Sequence, residues 1–333
     1  MDETNAVYTI EREKPPFSRV GWTLFTILGI STLLQIVGAA VATVFAPSIF
    51  SAPWFIWILS FAPLYLIAIP LGYLVIKPLP RLNTPKQTIS FSKFLGYLAM
   101  SYAVMYIGSI VGTLLNAGIS GLREKELVNP LTELLTKSNF YFELVFVGLL
   151  APIFEELIFR KLLLDRIRAY GEGTAILVSG LCFGLFHGNL FQFFYAFGLG
   201  SLFAYIYLRT GSVLYTIILH AIINTFSVVL SKIMGSIDLG ALQNFSGENP
   251  GELLNIVHGK EAQYVIFGVL ILAIMALLIS GVVLLITKRK SAVLFTAPKE
   301  LQRGERFKTV FVSWGMALFM LLSLGITAYS ALA

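Results

Sequence analysis

The chain has 333 residues, of which 57% are hydrophobic and 13% are charged, and its formal net charge is +6. Soluble domains carry about 25% charged residues, so a soluble globular protein is excluded. The basic residues lie in short segments between apolar runs rather than in a patch interleaved with aromatic side chains, which argues against a nucleic-acid partner.

A helix needs about 20 apolar residues to cross the hydrocarbon of a membrane. Apolar runs that approach this length predict an all-α protein, a polytopic transmembrane helical bundle of about eight or nine spans. The fifth run is short, and Gly188 and Asn189 join it to the sixth, which predicts either a tight helical hairpin or a partly re-entrant element. The nine runs cover roughly residues 20–45, 54–76, 94–117, 140–164, 174–187, 190–208, 212–233, 263–287 and 309–331.

The distribution of Lys and Arg predicts the orientation of these spans. If the N-terminus is cytoplasmic, 19 of the 24 basic residues fall on the cytoplasmic side and 5 on the opposite side. Because cytoplasmic loops carry an excess of Lys and Arg, we predict a cytoplasmic N-terminus and a C-terminus on the other side.

The spans and loops divide the chain into three parts. The loop at 118–139 predicts a surface amphipathic helix, the Gly- and Asn-rich loop at 234–262 predicts a flexible segment, and 288–308 predicts a cytoplasmic linker near anionic lipid. The three predicted parts are N-terminal transmembrane helices with a non-cytoplasmic loop (1–139), a central membrane domain (140–233), and a C-terminal loop with two transmembrane helices (234–333).

The fourth run contains ionisable residues, which are expensive in lipid and mark functional sites by default. Glu155 and Glu156 are adjacent, and Arg160 follows Glu156 by four residues. At about 100° per residue, Arg160 shares a helix face with Glu156 and points away from Glu155. We therefore predict a structural ion pair between Glu156 and Arg160, which leaves Glu155 as the candidate general base.

Two histidines and an amide lie in later apolar runs. His187 ends the fifth run, where a lone buried histidine is most simply a core or helix-end residue. His220 and Asn224 lie four residues apart in the seventh run and share one helix face; the alternative for this pair is an interhelical hydrogen bond that holds the bundle together. Helix rise places Glu155 and His220 in the cytoplasmic half of the membrane, so these helices could converge on one cavity.

Other hydrolytic chemistries lack their motifs in this sequence. There is no His-Glu-x-x-His zinc helix and no Gly-x-Ser-x-Gly elbow. None of the three aspartates is paired within a span, and Cys182, the single cysteine, has no flanking catalytic motif. A carboxylate, two histidines and an amide remain.

These residues form three motifs: Glu-Glu-x-x-x-Arg, then Phe-x-x-x-His, then His-x-x-x-Asn. In this order and within apolar spans, they closely resemble the CAAX protease and bacteriocin-processing (CPBP) family, also called the ABI family, which includes the type II CAAX prenyl endopeptidase. The resemblance covers roughly residues 140–233. The motifs are carried by Glu155, Glu156 and Arg160, by Phe183 and His187, and by His220 and Asn224.

The resemblance implies peptide-bond hydrolysis within an all-helical membrane domain. By this likeness, Glu155 and His187 bind and activate the attacking water, and His220 and Asn224 stabilise the oxyanion. The second glutamate and the arginine would hold the arrangement together. A metal-free, glutamic-type mechanism without a cofactor is preferred; zinc is possible, with Glu155, His187 and His220 as its three protein ligands.

We therefore predict an intramembrane endopeptidase with its cavity toward the cytoplasmic side, in the plasma membrane if the source is prokaryotic. Its partners would be membrane lipids and a peptide or membrane-protein substrate, lipidated or bacteriocin-like. One alternative is a non-proteolytic immunity or peptide-binding protein on the same scaffold. A transporter that uses Glu155, Glu156 and the histidines as a proton relay is another, although inverted repeats are not detectable.

Overall fold

The computed structural model describes residues 15–124, 127, 129, 138–245, 247 and 250–332. Every regular element in these ranges is helical, and nine long helices, α1 to α9, account for most of them. In chain order they are α1 Phe17–Phe45, α2 Phe55–Ile76, α3 Phe91–Arg123, α4 residues 140–167, α5 Glu172–Phe186, α6 Leu190–Thr210, α7 Val213–Ser236, α8 Glu261–Lys288 and α9 Trp314–Leu332.

Seven of these helices are long and apolar enough to cross a membrane, namely α1, α2, α3, α6, α7, α8 and α9. The remaining two depart from a regular span, because π-helical turns divide α4 and because α5 has only 15 residues. The predicted all-α, membrane-spanning class is confirmed, and the nine apolar runs coincide with the nine helices. The chain is an integral membrane protein.

The central part of the bundle consists of α4, α5, α6 and α7. The helices α1, α2 and α9 pack together on one side of it, and α3 and α8 pack together on the other. Each side has its own apolar core: Phe159 and Phe183 belong to the first, whereas Tyr102, Phe203 and Ile223 belong to the second. The polar residues singled out above lie between these two cores.

The helices α2 and α4 are irregular. The middle of α2, Pro63–Ala68, is π-helical and begins with proline. In α4, the π-helical segments Leu144–Leu150 and Leu157–Leu164 flank the short α-helical stretch Ala151–Glu156. Such turns break the regular backbone ladder and are frequent at functional sites, so backbone carbonyls here can bond to side chains of neighbouring helices.

The helices α5 and α6 form a tight helical hairpin, which is one of the two arrangements that the sequence predicted. Gly188 turns the chain with a φ of +63°, in the region that favours glycine, and the Asn189 side chain accepts a bond from the Gln192 backbone N–H to cap α6. Gly180 lets the helices approach closely, because a Cβ there would lie 2.8 Å from the Phe197 carbonyl oxygen.

The segment 288–308, predicted to be a cytoplasmic linker, contacts the helical bundle. It contains the short helical elements Arg289–Ser291 and the beginning of Arg306–Phe311. The Phe295 N–H donates to the Glu172 carboxylate at 2.8 Å, and the Lys299 N–H donates to the Ala169 carbonyl at 2.9 Å. The segment therefore docks where α4 ends and α5 begins.

The described residues of the two other predicted loops also include helix. The segment 234–262, predicted to be flexible, contains the helices Leu239–Asn244 and Pro250–Val257 because local capping, as by Asp238, stabilises short helices even in a glycine-rich stretch. The predicted amphipathic helix at 118–139 begins as the last turns of α3. Most of its remainder lies outside the described residues.

Candidate active site

Glu156 and Arg160 form a buried ion pair at the centre of the bundle. Both side chains are fully buried, and the guanidinium contacts both carboxylate oxygens, with Nε–Oε2 at 2.8 Å and Nη2–Oε1 at 3.2 Å. The pairing predicted from the four-residue spacing is confirmed. Because a bidentate pair holds both groups in one orientation, it fixes this face of α4.

Arg160 is also held by α5 and α6. Its Nη1 donates to the Ser179 hydroxyl at 2.8 Å, and the guanidinium lies over the rings of Phe183 and Phe203, 5.5 and 6.0 Å from their centroids. Cation–π contacts of this kind stabilise a desolvated cation. Sequence reasoning missed Ser179, although Ser179, Phe183 and His187 are spaced four residues apart and so share one face of α5.

His220 of α7 lies between the two glutamates of α4. Its Nδ1 is 3.2 Å from Glu156 Oε1, and its Nε2 is 3.8 Å from Glu155 Oε2. The bond to Glu156 orients the ring and sets Nδ1 as the donor, as a partner of one ring nitrogen does for histidines in general. Nε2 is thereby directed toward Glu155.

Glu155 is placed differently from its neighbour. Its side chain is 22% exposed, whereas that of Glu156 is completely buried. Glu155 Oε2 is itself buried and is one of the side-chain atoms without a hydrogen-bond partner in the described structure. A buried polar atom without a partner costs free energy, so this oxygen is suited to hold a water molecule or a polar group of a ligand.

His187 and Asn224 complete the set at its edges. His187 Nδ1 contacts the Phe183 carbonyl oxygen at 2.8 Å, which leaves Nε2 available. Asn224 Nδ2 donates to the carbonyl of Val147, in the first π-helical segment of α4, at 3.0 Å. In the described part of the chain, neither side chain forms a hydrogen bond or ion pair with Glu155, Glu156 or Arg160.

The Phe183 ring links the two histidines. Its centroid lies 4.9 Å from the His187 ring and 5.9 Å from the His220 ring, and both contacts are edge-to-face. The structure therefore brings Glu155, Glu156 and His220 into one cluster with Arg160, and it places His187 beside that cluster through Phe183.

The described side chains do not form a ready metal site. Within the described ranges, no three His, Cys, Asp or Glu side chains are grouped as a metal ion requires. Of the predicted zinc ligands, Glu155 and His220 lie together, with 3.8 Å between Oε2 and Nε2, and His187 would have to join them to supply the third ligand that zinc requires. The hydrogen bonds at His187 Nδ1 and His220 Nδ1 would still allow Nε2 of either ring to act as a ligand.

Comparison with known proteins bears on the same region. Residues 137–226 match the family model described as type II CAAX prenyl endopeptidase Rce1-like, and every motif residue lies within this match. A stretch of 87 residues, 25% of this chain, is 32% identical to the Bacillus subtilis (strain 168) protein named "Putative membrane peptidase YdiL". That stretch spans 34% of the relative's length. No solved structure shows a significant match.

Proposed function

We propose that this chain, whose residues 137–226 match the Rce1-like type II CAAX prenyl endopeptidase family model, is an intramembrane endopeptidase that uses water activated by Glu155. The observation that carries the proposal is the partnerless, buried Glu155 Oε2, which lies 3.8 Å from His220 Nε2. A carboxylate with a buried oxygen that has no hydrogen-bond partner, next to an oriented imidazole, is suited to general-base catalysis.

In the proposed first step, water binds to Glu155 Oε2. His187 Nε2 accepts the second hydrogen of this water, because His187 Nδ1 already donates to the Phe183 carbonyl. Glu155 takes the first proton as the water oxygen attacks the carbonyl carbon of the scissile peptide bond. The carbon becomes tetrahedral, and the former carbonyl oxygen becomes negatively charged.

His220 and Asn224 are the proposed donors to this oxyanion. His220 Nε2 points toward Glu155, 3.8 Å from its Oε2, while Nδ1 contacts Glu156, and donation to the oxyanion requires a hydrogen on Nε2. One hydrogen of the Asn224 amide bonds to Val147, so the other is available for the oxyanion. Donors fixed in advance are effective because they need no reorganisation when charge develops.

The intermediate then collapses. The C–N bond breaks, the proton held by Glu155 passes to the leaving nitrogen, and the products are a new carboxylic acid terminus and a new amine. Glu155 returns to its starting state. Glu156 and Arg160 take no part in the bond changes. Their ion pair keeps Glu155 and His220 in fixed positions relative to each other.

The proposed substrate is a membrane-associated peptide or protein with an apolar or lipidated segment. The lipid-facing side of α4, about half a turn around the helix from Glu155, exposes 47%, 37% and 38% of the side chains of Leu149, Ile153 and Leu157. These residues are spaced four apart and form an apolar stripe toward lipid. The Glu155 side chain is 22% exposed, so a substrate whose apolar segment stays in lipid can bring its peptide bond to this carboxylate, in a site that we place toward the cytoplasmic side of the plasma membrane.

We test this proposal by comparing peptide termini in membranes and culture medium from cells that express wild-type protein, Glu155→Gln or Glu261→Gln. Glu261 begins α8, is exposed and serves as the matched glutamate control. We expect specific new termini with the wild type and the control, and their loss with Glu155→Gln. Identical termini in all three strains would reject the peptidase and favour a non-proteolytic binding protein.

A further inference from the structure

Aromatic side chains fill the interface between α2 and α4. Trp57, Phe61 and Tyr65 are spaced four residues apart and face α4. The Trp57 and Phe61 rings stack on Phe146, with centroids 5.6 and 5.0 Å apart, and the Tyr65 ring stacks on Phe154 at 4.0 Å. This aromatic ladder leads along the interface to the residue next to Glu155.

Tyr65 is the last ring of the ladder, and it lies inside the π-helical segment Pro63–Ala68 of α2. It is close enough to Glu155 for the two groups to interact electrostatically. Because Phe154 and Glu155 are consecutive, the stack on Phe154 holds the phenol ring at the edge of the proposed site.

Tyr65 and Glu155 have complementary hydrogen-bonding groups, and neither group is satisfied by the protein. The Tyr65 hydroxyl and Glu155 Oε2 are both buried, and neither has a hydrogen-bond partner in the described structure. An ionised carboxylate only accepts hydrogen bonds, whereas a phenol hydroxyl can donate one. A water molecule between them would satisfy both, since buried waters bind where several unpaired polar groups converge.

A second phenol near Glu155 already accepts one hydrogen bond. Tyr195 of α6 also interacts electrostatically with Glu155, but its hydroxyl accepts a bond from Gln192 Nε2 at 2.8 Å. This bond uses an acceptor site of the Tyr195 hydroxyl and not its proton; Tyr65 differs because its hydroxyl has neither a donor nor an acceptor partner in the described structure.

We propose that Tyr65 is a catalytic residue whose hydroxyl donates a hydrogen bond to the water that Glu155 activates. The inference rests on the proposed function and assigns a role to a residue outside the matched segment 137–226. The water gives one hydrogen to Glu155 and accepts one from Tyr65, which leaves a lone pair for the scissile carbonyl. Tyr65 keeps its proton, and its bond orients the water and stabilises the hydroxide character that the oxygen gains as Glu155 removes a proton, before the charge passes to the former carbonyl oxygen.

The test is Tyr65→Phe in the purified full-length protein, assayed on a peptide that the wild type cleaves. The change removes the hydroxyl and keeps the stack on Phe154. We expect kcat to fall about 10- to 100-fold while KM stays within about twofold, because the bond is made to the reacting water and not to the substrate. The thermal unfolding midpoint should stay within about 2 °C of the wild type.

Tyr106→Phe is the matched control, since Tyr106 stacks on Tyr102 in α3 and carries no proposed role. A Tyr65→Phe kcat equal to that of the control would overturn the assignment. So would a rise in KM alone, or a fall in kcat accompanied by a lower unfolding midpoint, because these indicate substrate contact or structural support. A wild type that cleaves no peptide would instead reject the proposed function, and the assignment with it.

Discussion

The charges of Glu156 and Arg160 depend on each other, because both side chains are fully buried. Removing one partner leaves a buried charge unpaired, whereas removing both leaves none. We expect Arg160→Met to lower the free energy of unfolding by about 3–5 kcal/mol, and the double variant Glu156→Gln/Arg160→Met to recover much of this loss. Thermal or denaturant unfolding in detergent measures both changes.

An additive result would contradict this account of the pair. If the double variant is as unstable as the sum of the two single variants, Glu156 and Arg160 do not stabilise each other and Arg160 is held chiefly by Ser179, Phe183 and Phe203. Glu156→Gln alone isolates the other half of the cycle.

At the scale of single residues, local spacing was sufficient to predict the Glu156–Arg160 pair, because both partners lie on one helix. The position of His220 between the two glutamates depends on how α7 packs against α4, so the sequence could predict convergence but not the contacts. Tyr65 was missed for the same reason. An isolated tyrosine in an apolar run is ordinary in a membrane protein. The proposed role of Tyr65 depends on its packing against α4, which the sequence does not reveal.

At the scale of helices, the sequence predicted the nine elements well because apolar length is a strong signal in membrane proteins. It did not predict the π-helical segments of α4, Leu144–Leu150 and Leu157–Leu164. Each one shifts the angular phase of the residues that follow, so regular-helix angles over long stretches of α4 become inaccurate. The angle between Glu156 and Arg160 survives because the two residues are only one turn apart.

The close contact of α5 with α6 carries a prediction of its own. A Cβ on Gly180 would meet the Phe197 carbonyl oxygen at 2.8 Å and the Ser201 backbone nitrogen at 2.9 Å. We expect Gly180→Val to separate the helices, to lower stability by about 1–3 kcal/mol, and to reduce cleavage because His187 lies two turns further along α5. Unfolding and cleavage assays of the same preparation report both effects.

Gly268→Val in α8 is the control, because a Cβ at Gly268 has nothing within 4 Å. Gly180→Val with the stability and activity of this control would show that the α5–α6 spacing does not set the position of His187.

At the scale of the whole molecule, cysteine labelling can test the predicted topology, because the single natural cysteine is buried and reacts little with thiol reagents. Cys182 is 1% exposed, so an added surface cysteine dominates labelling by a membrane-impermeant thiol reagent. We expect Gly247→Cys to be labelled in intact cells and Ser291→Cys only in inverted vesicles, because the bias of basic residues places the first outside and the second inside. The reverse pattern would invert the orientation.

The packing of segment 288–308 shows a limit of sequence reasoning at this scale. Its basic residues distinguish it from the apolar spans. Its hydrogen bonds to Glu172 and Ala169, however, join residues more than 100 positions apart in the chain, and such contacts cannot be predicted from local sequence. Charge patterning indicates on which side of the membrane a segment lies. It does not indicate which helix ends the segment covers.

The central claim is that Glu155 activates water for peptide hydrolysis without a bound metal. The most direct measurement is cleavage of an apolar peptide by purified wild-type protein and by Glu155→Gln, each with and without a strong chelator, with metal content determined on the same samples. We predict that the wild type cleaves equally well with the chelator and contains no stoichiometric metal, and that Glu155→Gln loses about 100- to 10,000-fold in kcat. Cleavage that survives Glu155→Gln, or that stops with the chelator and returns with zinc, would contradict the account.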